Sequence, residues 1–250
     1  MIAIVSSSDN SSFNLSVEEY LFSEYNEEVL YLYVNTSSVI VGSNQEVKQE
    51  VNVDYCEKND IQIIRRMSGG GAVYHDKGNL NYSFIWNKGR GGSPLNADFL
   101  LPVIKVLNTL QVPVELGKRK DLWLKSGHKI SGTASHISRN RELHHGTLLY
   151  NTDLWKLQQS LETGVSIENN EVIKKKRTAS IKSPVTNIRT FLLENEILAP
   201  NTDCFFQLFI ERLMNYFHID KLSQLSEHDM EQIDKLRKRK YNQPVWNYKL

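Results

Sequence analysis

What this 250-residue sequence has little of narrows the field first. It has only two cysteines, Cys56 and Cys204, which argues against a disulfide-stapled secreted scaffold. Excess charge of one sign is absent: 30 Lys+Arg against 29 Asp+Glu leave a formal net charge of +1. That excludes a strongly polycationic nucleic-acid binder and an acidic tail protein, so no nucleic-acid partner is expected. No run approaches the ~18 consecutive apolar residues of a membrane span. Met1-Ile2-Ala3-Ile4-Val5 lacks the charged leader and apolar length of a signal peptide. No internal repeat or low-complexity tract is present. The expectation is a cytoplasmic protein with no membrane association. Hydrophobic content of 40% and charged content of 24% are ordinary globular values, and a chain of this length buries a large core without staples.

Elements of both kinds are legible. Phe13, Val17, Tyr20 and Leu21 recur at helical spacing, with Ser16 and Glu19 spaced as a capping box. Residues 29–34 and 39–41 read as two strands around the polar turn Asn35-Thr36-Ser37-Ser38. A third strand over 61–66 runs into Met67-Ser68-Gly69-Gly70-Gly71, and short strands over 72–74 and 80–86 flank Asp76-Lys77-Gly78-Asn79. Phe99, Val103, Val106, Leu107 and Leu110 mark a helix with Pro102 in its first turn. Residues 122–125 and 129–137 read as a hairpin about Ser126-Gly127-His128, followed by a strand over 143–150. Leu154, Leu157 and Leu161 form a short helical face. Phe205, Phe209, Leu213 and Phe217 form a longer one, capped by Thr202 or Asp203. The polar, basic stretch 165–183 reads as a mobile loop. This order implies a single α+β domain over 1–250, with a mixed, mostly antiparallel sheet flanked by helices.

Two segments carry chemistry. In Arg65-Arg66-Met67-Ser68-Gly69-Gly70-Gly71-Ala72-Val73-Tyr74-His75-Asp76, three consecutive glycines weaken any strand or helix. Free amides in such a turn form a nest for an anion, and the Arg66 fork matches carboxylate or phosphate. The segment is neither a Walker loop nor a dinucleotide fingerprint. A flexible surface turn beside a solvated arginine pair fits the glycine content equally well. The second segment places Lys129 at the start of a strand among small residues, Ser131, Gly132 and Ala134. There a compact positive charge reaches a bound ligand and stabilises anionic oxygens in acyl or phosphoryl transfer. For a lone lysine, a solvated strand position is the commoner case. His144-His145 has no metal-binding companions, and neighbours on a strand face opposite ways, so one of the pair is a candidate for a ligand contact. Cys204 reads as buried on the apolar helix face, and Cys56 carries no functional reading.

In combination these segments resemble the lipoate–protein ligase family. The resemblance rests on Phe13-Asn14-Leu15-Ser16-Val17-Glu18-Glu19; on Arg65 to Asp76 with Gly78-Asn79 and Tyr82-Ser83-Phe84; on Asp121-Leu122 with Lys129-Ile130-Ser131-Gly132-Thr133-Ala134; on His144-His145-Gly146-Thr147-Leu148-Leu149; and on Ser183-Pro184-Val185-Thr186-Asn187-Ile188. Trp246-Asn247-Tyr248 resembles the end of the family's large domain. The resemblance implies the α+β catalytic fold shared with biotin ligases. It implies an ATP-dependent ligase: lipoate and ATP give lipoyl-AMP and pyrophosphate with Mg2+, and a lysine of an acceptor domain then takes the lipoyl group. No tightly bound prosthetic group is implied. The implied acceptors are lipoyl domains of 2-oxoacid dehydrogenase E2 subunits and the glycine-cleavage H protein.

By matching position, Lys129 is the catalytic residue, set between the lipoyl carbonyl and the α-phosphate. Arg66, Gly71, Ala72, Val73 and Tyr74 line the ATP or adenylate. Ser68, Gly69, Gly70 and His75 neighbour lipoate, with Asn79 near them, and Asp121 is assigned to magnesium or ribose. Val39 and Val41 are offered as the apolar slot for the acyl tail. The family's small C-terminal accessory domain is not matched, which implies a separate accessory chain or transfer of preformed lipoyl-AMP. His136 and Pro184 stand where some members have arginine. Two alternatives remain open: a lipoyl or octanoyl transferase working through a cysteine, and a non-catalytic lipoate- or nucleotide-binding protein. Gly89-Arg90-Gly91-Gly92 makes a biotin ligase a weaker reading. The basic runs Lys174-Lys175-Lys176-Arg177 and Arg237-Lys238-Arg239-Lys240 are candidates for steering an acidic acceptor.

Overall fold

The computed structural model describes residues 1–88, 97–163 and 180–249. The motif at 89–92, the basic run at 174–177 and the 165–179 part of the expected loop lie outside the described residues. In chain order the elements are β1 (Ile2–Val5), α1 (Ser11–Glu24), β2 (Val29–Val34), β3 (Ser38–Val41), α2 (Val47–Glu50), α3 (Val53–Lys58), β4 (Gln62–Arg65), β5 (Val73–His75) and β6 (Asn79–Asn87). Next come α4 (Leu101–Thr109), β7 (Val114–Leu116), β8 (Leu122–Leu124), β9 (Lys129–Ser131), β10 (Thr133–Ile137) and β11 (Arg141–Leu149). Last are α5 (Leu154–Leu161), α6 (Ile188–Glu194), α7 (Thr202–Tyr216), α8 (Glu227–Leu236) and α9 (Pro244–Asn247). No helix among the described residues is long and apolar enough to cross a membrane.

The main sheet has the order β1-β2-β6-β11-β10, parallel only between β1 and β2. A second sheet, β4-β3-β5, pairs β3 with β4 in parallel and with β5 antiparallel; a third, β7-β8-β9, is antiparallel. The mixed, mostly antiparallel α+β architecture read from the sequence is therefore observed. Period-two alternation sorts the main sheet's side chains. Leu30, Leu32, Tyr82, Phe84 and Leu148 pack under α4 and α7, against Val103, Leu107, Phe205, Phe209 and Leu213. Tyr31, Tyr33, Ile85 and Leu143 face the other way, towards Leu15, Val17 and Leu21 of α1, Ile233 of α8, and Ile40 and Ile64 of the second sheet.

Several local expectations change. The α1 cap is Asn10, whose side chain accepts from the Phe13 amide, while Ser16 lies inside the helix and donates back to the Ser12 carbonyl. Starting the helix earlier lets the half-buried Asn10 side chain take a free amide. α7 is capped by Asn201, one residue before the expected position. β2 and β3 do not form a hairpin, nor do β5 and β6; each pair is split between the main and second sheets. The expected strand over 129–137 breaks at Gly132 into β9 and β10, which join different sheets. Cys204 is exposed: the buried stripe of α7 is Phe205, Phe206, Phe209 and Leu213, and Cys204 falls on the opposite side. Arg237 and Lys238 pair with Asp234, and Lys240 reaches Glu19 of α1 at 2.6 Å, so the second basic run helps dock the C-terminal helices.

Arg65 ties the end of the chain to the strand that enters the glycine segment. Its wholly buried guanidinium donates to the carbonyls of Gly42 and Gln45 (both 2.7 Å), Trp246 (3.1 Å) and Lys249 (2.8 Å). Trp246 answers by donating its indole N–H to the Arg65 carbonyl at 2.8 Å, and the Arg65 amide donates to Asn247 Oδ1. Lys240 and Lys249 place their ammonium groups 4.0 and 3.8 Å from the Trp246 ring centroid. Removing the guanidinium leaves buried carbonyls unpaired, a cost of about 3–5 kcal/mol. Arg65→Met should lower unfolding stability by that amount in urea titration, and Arg65→Lys should recover little of it, because an ammonium lacks the planar fork.

Candidate active site

A cavity of about 310 Å³ lies between the main sheet and the segment joining β4 to β5. One wall is the glycine bend, with Arg66, Gly70, Gly71, Ala72 and Val73. The floor is a row of paired residues: Tyr33 of β2, Asn81 of β6 and Thr147 of β11 stand in register. Two strand spacings of about 4.8 Å make that row roughly 10 Å across. Lys129, Asp121 and Arg119 lie on the β11 side, while His75, Leu15 and Ile40 complete the lining.

The bend is organised from inside by Arg66. Its guanidinium donates to Ser68 Oγ (2.9 Å) and to the carbonyls of Ile40 (2.9 Å), Gly69 (2.6 Å) and Gly71 (2.8 Å). A peptide N–H points opposite to the preceding carbonyl, so drawing the Gly69 and Gly71 carbonyls to Arg66 turns the Gly70 and Ala72 amides away from it. Among the described residues no acceptor meets the amides of Gly69, Gly70 and Gly71, and the Ala72 amide donates to Ser180 Oγ at 3.0 Å. Gly70 has φ +89°, a conformation that favours glycine. Gly42 makes room: a Cβ there would lie 2.1 Å from the Gly70 carbonyl oxygen. The sequence reading offers the Arg66 fork to a ligand; here most of it is used to shape the turn. Burial, only partly offset by Glu18, lowers its pKa to about 10, so it stays charged at neutral pH.

A buried relay backs the bend. Ser83 Oγ donates to Glu18 Oε1 at 2.6 Å, His145 Nδ1 lies 2.8 Å from the same oxygen, and His145 Nε2 lies 2.7 Å from Ser68 Oγ. Ser68 is thus covered by Arg66 and His145 and does not line the cavity. Gly69 is not part of the lining either, and the Tyr74 side chain packs behind the second sheet with Val39, Val41 and Cys56. Val39 and Val41 therefore do not form the expected acyl slot. The strand period turns Ile40, their neighbour, into the cavity instead. Asn79 is buried and donates to Asn81 at 2.9 Å. Of the histidine pair, His144 stacks on Phe99 at 4.5 Å on the far face, while His145 enters the cavity. His136 packs edge-on against Phe22, and the Pro184 carbonyl accepts from the Lys129 amide at 2.8 Å.

Lys129 Nζ lies 3.3 Å from Asp121 Oδ2, with Arg119 Nη2 at 3.7 Å from the same oxygen. Burial lowers the Lys129 pKa, and Asp121 opposes that. Asp121 itself is held below the usual carboxylate range: burial raises it, but Trp123 and Lys129 outweigh that. Gly132 leaves space beneath the lysine, whose Nζ lies 3.5 Å from where a Cβ would stand. Among the described residues, no group of three His, Cys, Asp or Glu side chains is placed to hold a metal ion.

Sequence reasoning finds the bend, the lysine and one of the His144-His145 pair, of which His145 lines the cavity, but passes over Glu18, Gly42, Arg119 and Ser180 as site residues. A signal for Glu18 exists: it lies at helical spacing between the buried Leu15 and Phe22, where an unpaired carboxylate is costly. Burial raises its pKa, yet His145, Ser83 and Arg66 together hold it below its ordinary value. A depressed folded-state pKa stabilises the protein above the unfolded value of about 4.3 and loses that contribution as pH falls through the native value. Glu18→Gln should therefore show a constant stability deficit near neutrality that shrinks below about pH 4.3, measured by urea unfolding between pH 7 and 3. A pH-independent deficit would contradict it.

The comparisons with known proteins point to one family. The model of the lipoyl protein ligase A/B catalytic domain matches residues 10–218. Lipoate–protein ligase 1 of Staphylococcus aureus is 37% identical over 237 residues, covering 94% of this chain and 69% of that protein. Lipoate-protein ligase LplJ of Bacillus subtilis is 38% identical over 240 residues, with the same coverage of 94% and 69%. Among solved structures, a bi-partite lipoate protein ligase of Thermoplasma acidophilum, described with its E2 lipoyl domain, superposes with a TM-score of 0.82 at 26% identity, covering 99% of this chain and 95% of that one. A lipoate-protein ligase A bound with ATP has the same fold, with a TM-score of 0.79 at 24% identity and 99% coverage of both chains. With the family model matching most of the sequence and the bend and the lysine lining one cavity, the chain belongs to the lipoyl protein ligase A/B catalytic-domain family.

Proposed function

We propose that this chain is a lipoate–protein ligase, which activates lipoate with ATP to lipoyl-AMP and transfers the lipoyl group to a lysine of an acceptor domain. The observation that carries the reading is the placement of one ammonium, Lys129, in a cavity shared with the glycine bend, whose amides at Gly70 and Gly71 meet no acceptor among the described residues. In this reading the amides of Gly70 and Gly71 take the adenylate phosphate, and Ala72 and Val73 line the nucleotide beside them. Lys129, steered by Asp121, stands at the acyl carbonyl and the α-phosphate, where its charge offsets the negative charge that develops. The apolar side of the cavity, with Leu15, Tyr33 and Ile40, takes the acyl tail. In the second step the acceptor amine attacks the acyl carbon, the acyl–phosphate C–O bond breaks with its electron pair leaving on AMP, and the amine loses a proton.

Two features favour the ligase over a cysteine-dependent transferase. The relatives at 37% and 38% identity are lipoate–protein ligases, and neither Cys56 nor Cys204 lines the cavity. Asp121 is engaged by Lys129 and Arg119, and among the described residues no three His, Cys, Asp or Glu side chains gather to hold an ion, so the site does not fit a resident metal. Magnesium belongs in this account to the MgATP substrate. Lipoyl domains of E2 subunits and the H protein are the proposed acceptors; the archaeal bi-partite ligase described with an E2 lipoyl domain supports this class. The same relative supports a reading in which residues 1–250 act as one catalytic domain with a separate accessory chain. Two free cysteines, one of them exposed, suit a reducing cytoplasm.

Lys129→Ala should reduce lipoyl-AMP formation by about 10²-fold or more, comparable to the loss of one preorganised donor. The measurement is lipoate-dependent ATP–pyrophosphate exchange, followed by transfer from supplied lipoyl-AMP to a lipoyl domain. Normal rates in both assays would remove Lys129 from the mechanism.

A further inference from the structure

His75 leaves a polar atom that the proposed chemistry does not yet use. It lines the cavity, is almost wholly buried, and its Nε2 has no hydrogen-bond partner among the described residues. The other ring nitrogen lies 3.0 Å from Asn35 Nδ2. Which nitrogen bears the proton follows from the groups behind it. Asn14 turns its Nδ2 to the carbonyls of Ser8 (2.9 Å) and Val34 (3.1 Å), which only accept, so that edge is the NH2 group. Its Oδ1 receives Ser6 Oγ at 2.6 Å and Tyr31 Oη at 3.0 Å. The same NH2 donates to Asn35 Oδ1 at 2.8 Å, which leaves the Asn35 NH2 facing His75. His75 Nδ1 therefore accepts, and the proton of the neutral ring sits on Nε2. Burial first, then Arg66 and His145, push the His75 pKa down to about 3, so the ring is neutral at physiological pH.

The position of this donor matters. Asn35 follows β2, so His75 lies at the Tyr33 end of the floor, across β6 and β11 from the Lys129 side. An acid whose carboxyl group meets Lys129 sends its tail towards Leu15, Tyr33 and Ile40, a mainly apolar wall where, among the described residues, the His75 Nε2–H is the buried donor without a partner. Against an all-carbon tail that N–H stays unpaired, which costs affinity; against a ring sulfur, a weak but polarizable acceptor, it is satisfied. Resting on the lipoate-activation reading, we propose that His75 is a specificity-determining residue that donates its Nε2–H to the cyclic disulfide of the acid, favouring it over a hydrocarbon tail of the same shape.

The test pairs a residue change with an atom change in the ligand. Dissociation constants of lipoate and of 5-cyclopentylpentanoate, which replaces the disulfide ring by carbon, are measured by calorimetry on the intact chain and on His75→Phe. The wild-type preference for lipoate should fall about three- to tenfold in the variant, with binding of the carbon analogue held or improved. An unchanged ratio would overturn the assignment. Should the variant not fold, 15N spectra of the wild-type protein decide: the expected result is an Nε2–H tautomer for His75 whose resonance shifts with lipoate and not with the analogue. An Nδ1–H tautomer, or equal shifts with both acids, would overturn it. Failure of the wild-type chain to bind either acid would instead bring down the lipoate reading itself.

Discussion

The site depends on a buried guanidinium. Arg66 gathers the carbonyls of Ile40, Gly69 and Gly71 and the Ser68 hydroxyl, and so holds the backbone of three glycines in one turn whose own amides meet no acceptor among the described residues. A run of glycines has no preferred shape of its own and loses more conformational entropy on ordering than any other sequence. Without a central cation the bend would be an ensemble. With it, a preorganised set of donors meets a ligand at little reorganisation cost. The cation also sets what surrounds it: Gly42 must lack a side chain, and Glu18 supplies a nearby negative charge.

Around that turn the fold places three kinds of surface within one cavity. Backbone amides form one wall, a lysine held by Asp121 stands at one end of the strand row, and apolar side chains close the other. This division follows from the two-residue period of strands. Thr147, Asn81 and Tyr33 face inward because their neighbours Leu148, Leu80 and Leu32 face the helical layer. The polar groups that this inward face buries are matched in chains: Ser83, Glu18, His145 and Ser68 in one, and Asn14, Asn35 and His75 in the other. Such chains rigidify a site because each member fixes the orientation of the next.

Much of this was legible in the sequence, for reasons that differ by residue. The glycine run and the lysine among small residues are local signals, and Gly70, Gly71, Ala72, Val73 and Lys129 line one cavity. Strand existence was legible from alternation, but strand partners were not. Asn35 to Ser37 resembles a hairpin turn, yet Ser38 leaves for another sheet, because partner choice is decided by distant segments. The same limit explains Val39 and Val41: alternation groups them together but does not say which face meets the cavity. Glu18 and His145 lie 127 residues apart, and their pairing is visible only once α1 lies across β11. Arg66 was recognised as important but given to the ligand, since a sequence does not show that a fork is already filled by its own backbone.

The most direct measurement is a crystal structure with a non-hydrolysable lipoyl-adenylate analogue. The account predicts the phosphate oxygens on the amides of Gly70 and Gly71, and the Lys129 amine within about 3–3.5 Å of the acyl carbonyl or α-phosphate. An analogue seated elsewhere, or one whose anhydride lies out of reach of that amine with the bend unoccupied, would contradict it.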